Sequence, residues 1–202
     1  MSTAGDDRSG DRRADQPADE DQWVFLIDPA WRPKATAETS PDEGPQPAEV
    51  EAPPIEAVVG GWLVAADGTV GRFDANPGYV PSRPGSPTDP VDATLQLLTR
   101  GEVDADALFA VMRECVFDVA LDQEDRPIIA PSPDDVPSLL VSTAPVQRFR
   151  VHTDRWRTGV TAEELAELLL EYGVDVLFNP GGPASIRLIG DVFAKSVTAQ
   201  EK

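Results

Sequence analysis

The chain has 202 residues, 41% of them apolar, and a formal charge of −19 divided almost evenly: net −9 over residues 1–57 and net −10 over 58–202. That is room for one domain of ordinary size plus extra segments, and a field of this sign repels nucleic-acid backbones and anionic bilayers, so non-specific binding to either is excluded. Cys115 is the one cysteine, which excludes an internal disulfide, and no apolar run nears the roughly 20 residues that cross a bilayer.

Met1 to Asp21 is polar and Asp-rich, with no basic-then-apolar signal, and reads as a disordered acidic tail on a soluble, cytoplasmic protein. Trp23 to Ile27 is a β run closed by Asp28-Pro29. Residues 35–54 are rich in Pro, Glu and Ala and read as a mobile linker. Val58 to Val64 predicts a strand broken by Gly60-Gly61, Asp67-Gly68 supplies hairpin-turn chemistry, and Thr69 to Phe73 is the expected return strand. These strands make a small annex over 22–88, too short to bury a core alone.

From Asp89 the texture changes. Asp89-Pro90 is an N-cap and N1 pair for a helix with Val91, Leu95 and Leu98 on one face, ended by Gly101. Asp104 caps a second helix carrying Leu108, Val111, Met112 and Cys115. A strand follows to Leu121, with Phe117 and Val119 on its apolar face, then a turn at Asp122 to Asp125 and a return at Arg126 to Ala130. Ser138 to Ser142 is another strand. Thr161 and Glu164 form a capping box for a helix that Gly173 stops, and strands at Val174 to Phe178 and Ile186 to Leu188 precede a short helix around Asp191 to Ala194. Strands and helices mix without βα alternation, so the fold class is α+β: one mixed-sheet domain at 89–196 with helices packed on it, the annex, and a tail at 197–202.

Asn179-Pro180-Gly181-Gly182-Pro183 has the look of a phosphate loop, but two of its five positions lack an N–H and no Gly-Lys-Ser/Thr follows; it reads as a structural turn. His152, the lone imidazole, stands in a polar stretch and reads as a surface residue. Cys115 falls on an apolar face and reads as buried and inert. No metal-ligand spacing appears, and neither a cofactor nor a catalytic residue is assigned. The rival is a carboxylate-based hydrolase using Asp118 or Asp134, but Asp118 alternates with apolar neighbours and is expected to face solvent or pair with an arginine. Arg148, Arg150, Arg155 and Arg157, with Phe149 and Trp156 between them, are the one basic cluster. In so acidic a chain it is expected to pair with the protein's own carboxylates or with an acidic partner segment.

"WVFLIDPAW", "VVGGWLVAADGTVGRFDANPGYVPS" and "TDPVDATLQLLTRG" resemble the actinobacterial type VII secretion system-associated proteins. Asp118 to Leu188, with "ALDQEDRPIIAPSPDDVPSLLVSTAP" and "VDVLFNPGGPASIRL", resembles the SseB N-terminal-type domain; together the resemblance covers roughly residues 22–196. It implies a non-enzymatic accessory or adaptor protein of type VII (ESX/WXG-type) secretion that binds a protein partner, with no catalytic residues to carry over. Trp23, Phe25 and the cluster of Arg148, Arg150, Arg155, Trp156 and Arg157 are the candidate partner-binding residues. The Trp23–Ile27 strand either completes the protein's own sheet or pairs with a partner's strand. The alternative function is an acidic, immunity-like inhibitor masking a basic toxin or nucleic-acid-binding protein.

Overall fold

The computed structural model describes residues 20–33 and 52–199. Nearly all of the expected acidic tail, most of the linker and the last residues of the chain lie outside them. β1 (Gln22–Ile27), in the first described segment, pairs antiparallel with β2 (Val58–Val64) of the second, and β2 in turn with the two-residue β3 (Asp74–Ala75), giving a three-stranded sheet in the order β1-β2-β3. The Asp67-Gly68 turn forms: Gly68 has φ 84°, and Asp67 Oδ1 accepts the Thr69 N–H at 2.8 Å.

The return strand departs from expectation. The return is brief: a single bridge pairs Val70 with Val64, with Gly71 N–H on Leu63 O at 2.8 Å, and strand pairing resumes later, at Asp74 and Ala75. Phe73 is the cause: its ring turns inward onto Trp62, 4.8 Å between centroids, and its N–H goes to Glu114 O at 3.1 Å instead of to the ladder.

The helical and larger-sheet part begins with α1 (Pro90–Thr99) and α2 (Ala105–Arg113), each capped by the aspartate that precedes it, Asp89 and Asp104. Then come β4 (Val116–Ala120), β5 (Ile129–Pro131), β6 (Pro137–Ser142), a 3-10 turn at Pro145–Arg150, β7 (Trp156–Thr161), α3 (Ala162–Tyr172), β8 (Asp175–Phe178), β9 (Ile186–Leu188) and α4 (Gly190–Thr198). The Thr161/Glu164 capping box is complete, and Gly173 ends α3 at φ 63°, where a side chain is disfavoured. The sheet runs β7-β4-β6-β8-β9, with β6 and β8 parallel and the other pairs antiparallel, so the fold is α+β with a mixed sheet.

Two strands differ from the sequence reading. The segment after the Asp122–Asp125 turn touches β4 only at its end, through the Leu121–Pro127 bridge and Ile128 N–H to Ala120 O; the strand itself is β5, paired with β6. Both edges of β4 are already taken by β6 and β7, and Pro127 has no N–H to give. β7 lies where the sequence reading assigned no element, just beyond the polar stretch around His152. It is an edge strand whose Arg157, Thr158 and Gly159 all face solvent, so it carries no apolar alternation.

The four α-helices of the described residues all cover one face of the larger sheet. Leu95, Leu108, Met112, Leu165, Leu169 and Phe193 bury against Phe117, Val119, Leu139, Val141, Val176 and Phe178. Val59, Phe73 and Tyr79 of the N-terminal segment belong to the same cluster, so the small sheet shares this core. Ala120, Leu140, Val151 and Leu177 form a smaller cluster on the opposite face, with Trp156 packed against it.

Candidate functional site

Two places merit attention: a polar cavity between the sheets, and the outer face of the three-stranded sheet. The cavity, about 250 Å³, is lined by Asp89, Cys115, Asp118, Thr143, Arg148, Thr158 and Gly159, among others. Local irregularity builds it. Opposite Asp118 the β4–β7 register slips, so Thr158 and Gly159 (φ 71°) face one residue; such a bulge re-aims the side chain across from it.

The cavity's polar groups chiefly hold one another. Asp89 Oδ1 accepts the Asp92 N–H at 2.9 Å as N-cap, while Oδ2 accepts the hydroxyls of Thr88 at 2.8 Å and Thr143 at 2.6 Å. Thr143 N–H reaches Asn179 Oδ1 at 3.0 Å, and Asn179 Nδ2 returns a bond to the Thr143 hydroxyl at 2.8 Å. Gln147 donates to the Thr88 hydroxyl at 2.9 Å and accepts from Arg150 at 2.5 Å. Burial, then the charge of Asp92, pushes the Asp89 carboxyl up to about 6 against the donors it holds. Burial also raises Asp118, though Arg148 opposes it with a 2.6 Å ion pair. The Cys115 thiol, buried and near Asp89, is pushed up to about 12, so it supplies no thiolate.

Asn179 to Pro183 forms the β8–β9 turn. Asn179 is buried with φ 47°, Gly181 has φ 70°, and Gly182 N–H closes onto Asn179 O at 2.8 Å. The sequence hid the role of Asn179, whose side chain ties this turn to the end of β6.

The four arginines do not gather into one patch. Arg148 pairs with Asp118, Arg155 with Asp125 and Arg157 with Glu164 (3.7 Å), while Arg150 bonds the Gln147 amide and lies 4.4 Å over the exposed Phe149 ring. Trp156 lies half-buried beneath Arg148, 5.7 Å from ring to guanidinium. Asp134, the other acid of the rival hydrolase reading, is held down to about 2 by Arg187, which also pairs with Asp175. His152 is exposed. Among the described residues, no group of three or more His, Cys, Asp or Glu is placed to hold a metal, and no helix is long and apolar enough to cross a membrane.

No family model, curated protein or solved structure matches this chain.

The second place is apolar. β1 is an edge strand, and Trp23 (47% exposed) and Phe25 (57%) lie on the outer face of its sheet with Leu63. The two rings are nearly parallel, 6.1 Å apart, beside a groove of about 250 Å³ that runs between Ile55, Gly61, Asp74 and Pro77.

What holds β1 in place escaped the sequence reading, although both pieces were quoted motifs. The buried Asp28, just past β1, accepts the Tyr79 hydroxyl at 2.9 Å, the Ser82 N–H at 2.9 Å and the Ala30 N–H at 2.8 Å. Burial alone would raise this carboxyl, but those donors outweigh it and hold it below the usual range. Asn76 Nδ2 donates to the carbonyls of Ile55 and Val58, both at 2.8 Å. The Ile-Asp-Pro and Asn-Pro-Gly-Tyr-Val-Pro-Ser segments thus form a clasp that fixes the end of β1, leaving its outer edge without a strand partner among the described residues.

Proposed function

We propose that this chain is a non-enzymatic accessory protein of a type VII secretion system, acting in the cytoplasm as an adaptor that binds a protein partner through β1. The observation that carries the reading is an edge strand with three consecutive exposed apolar residues, Trp23, Val24 and Phe25, anchored at one end by Asp28. Open edges of this kind accept an added strand, and natural chains blunt them with charge or proline where no partner is wanted. Residues 22–27 contain neither. The motif resemblance supports the secretion context. The polar cavity fits a structural role, because its buried carboxylates and hydroxyls are engaged with one another.

The test is affinity capture from the organism that encodes the chain, repeated in a strain lacking the type VII locus and with a Trp23→Ser/Phe25→Ser variant. The expected result is a secretion component or cargo protein, lost with the locus and with the double substitution. The same partners in both strains, none from the machinery or its cargo, would remove the reading. The rival acidic inhibitor is distinguished by salt: masking a basic surface loses affinity steeply with ionic strength, whereas apolar strand docking keeps most of it.

A further inference from the structure

Cross-strand register places Phe25, Gly61 and Asp74 in one row across the outer face of the three-stranded sheet. The middle position has no side chain. A Cβ there would meet Val24 O at 2.8 Å, Phe25 Cδ1 at 3.1 Å and Trp23 Cε3 at 3.3 Å, so both rings lean over the glycine. The outer strands of the row lie two strand spacings apart, about 10 Å. Between the aromatic pair and Asp74 runs the groove of about 250 Å³, with Ile55 and Pro77 completing its walls.

Among the described residues, Asp74 is the one charged residue lining this groove. It is exposed, while Arg72 is turned to Glu163 at 3.5 Å. An aliphatic stem laid on the rings buries its methylenes, a cation over an aromatic face is attracted by the ring quadrupole, and a carboxylate at the far wall completes the match. An acidic side chain is repelled there, and a plain apolar one leaves Asp74 unmatched.

We propose that the trough over Gly61 is a receptor for the arginine or lysine side chain of an extended segment of a protein partner. This rests on the docking reading above and names the chemistry of the partner. The edge of β1 that has no strand partner among the described residues supplies backbone pairing. An added strand stands one further spacing, about 5 Å, outside β1, so its cation rests on the two rings and is drawn to Asp74 by charge across the groove rather than by contact.

The experiment titrates the isotope-labelled full chain with three blocked pentapeptides, Ac-Thr-Val-Xaa-Val-Thr-NH2, where Xaa is Arg, Leu or Glu. The Trp23 indole N–H and the β1 and β2 amides are followed by NMR. The arginine peptide is expected to shift these signals and to bind about tenfold more tightly than the other two, an advantage that Asp74→Asn removes and high salt weakens. Equal shifts from all three peptides, shifts located elsewhere, or an arginine preference unchanged in Asp74→Asn would overturn the proposal. The adaptor reading fails separately. Capture of a secretion partner that survives Asp74→Asn retains the adaptor and sinks the receptor; an Asp74-dependent arginine preference without any secretion partner does the reverse.

Discussion

Asp89 gives the sharpest energetic prediction. Its carboxyl is pushed from an ordinary value of 3.8 up to about 6, chiefly by burial and then by Asp92. A folded pKa above the unfolded one means that the protonated acid is favoured in the native state. Its stabilising contribution is therefore complete below about pH 4 and is lost as pH rises through 6. Two units at 1.36 kcal/mol each make the loss about 3 kcal/mol by pH 7.5. In a domain of this size that lowers Tm by about 6–12 °C. Asp89→Asn mimics the protonated acid at every pH: its oxygen still caps α1 through the Asp92 N–H, and asparagine is as good an N-cap as aspartate. Stability of the variant and the parent should agree within about 1 kcal/mol at pH 4.5, and the variant should be the more stable by about 2–3 kcal/mol at pH 7.5. Urea unfolding followed by circular dichroism across this range checks it. The difference between the two proteins is the quantity to plot, because the raised Asp92 and Asp118 contribute slopes of the same sign to both. A flat difference curve, or one favouring the parent at high pH, refutes the argument.

Three further outcomes follow from other buried groups. Tyr79→Phe takes a buried donor from the Asp28 carboxylate and should cost about 1.5–3 kcal/mol in urea unfolding; because Asp28 then loses part of what holds its pKa down, acid unfolding should begin at a higher pH. Asn179→Gly keeps the positive φ of the turn but strips the partner from the buried Thr143 N–H, so a loss of about 2 kcal/mol separates the side-chain role from the backbone one. Cys115 should resist alkylation at pH 8 until the protein is unfolded, reacting then at the rate of a free thiol; rapid labelling of the native protein would contradict its burial.

Local chemistry was legible in the sequence and long-range chemistry was not. The Asp89 and Asp104 caps, the Thr161/Glu164 box and the Gly173 stop each depend on residues within about four positions, so the sequence displays the whole interaction. The Asp28–Tyr79 bond joins residues 51 apart, Thr143–Asp89 54 apart and Thr143–Asn179 36 apart, and no periodicity announces such pairs. β7 was missed for a different reason. Hydrophobic alternation marks strands with one buried face, and this edge strand buries only Val160. Trp23 to Ile27 misleads in the other direction, since five consecutive apolar residues suggest a strand buried on both faces, yet its first three are exposed.

The Gly60-Gly61 pair links the fold to the proposed binding surface. Successive residues of a strand face opposite sides, so the two missing side chains open space on both faces of β2. On the inner face, a Cβ at Gly60 would collide with Asp74 O and the Phe73 ring, the group that turns the small sheet into the shared core. On the outer face, the vacancy at Gly61 is what Trp23 and Phe25 lean over. The inward vacancy lets Phe73 leave the hairpin ladder, which shortens β3 to two residues and sets Asp74 opposite Gly61. The feature that seats the sheet on the domain therefore also sets a carboxylate across the groove from the aromatic pair, and the clasp at Asp28 keeps β1 in the register that this arrangement needs.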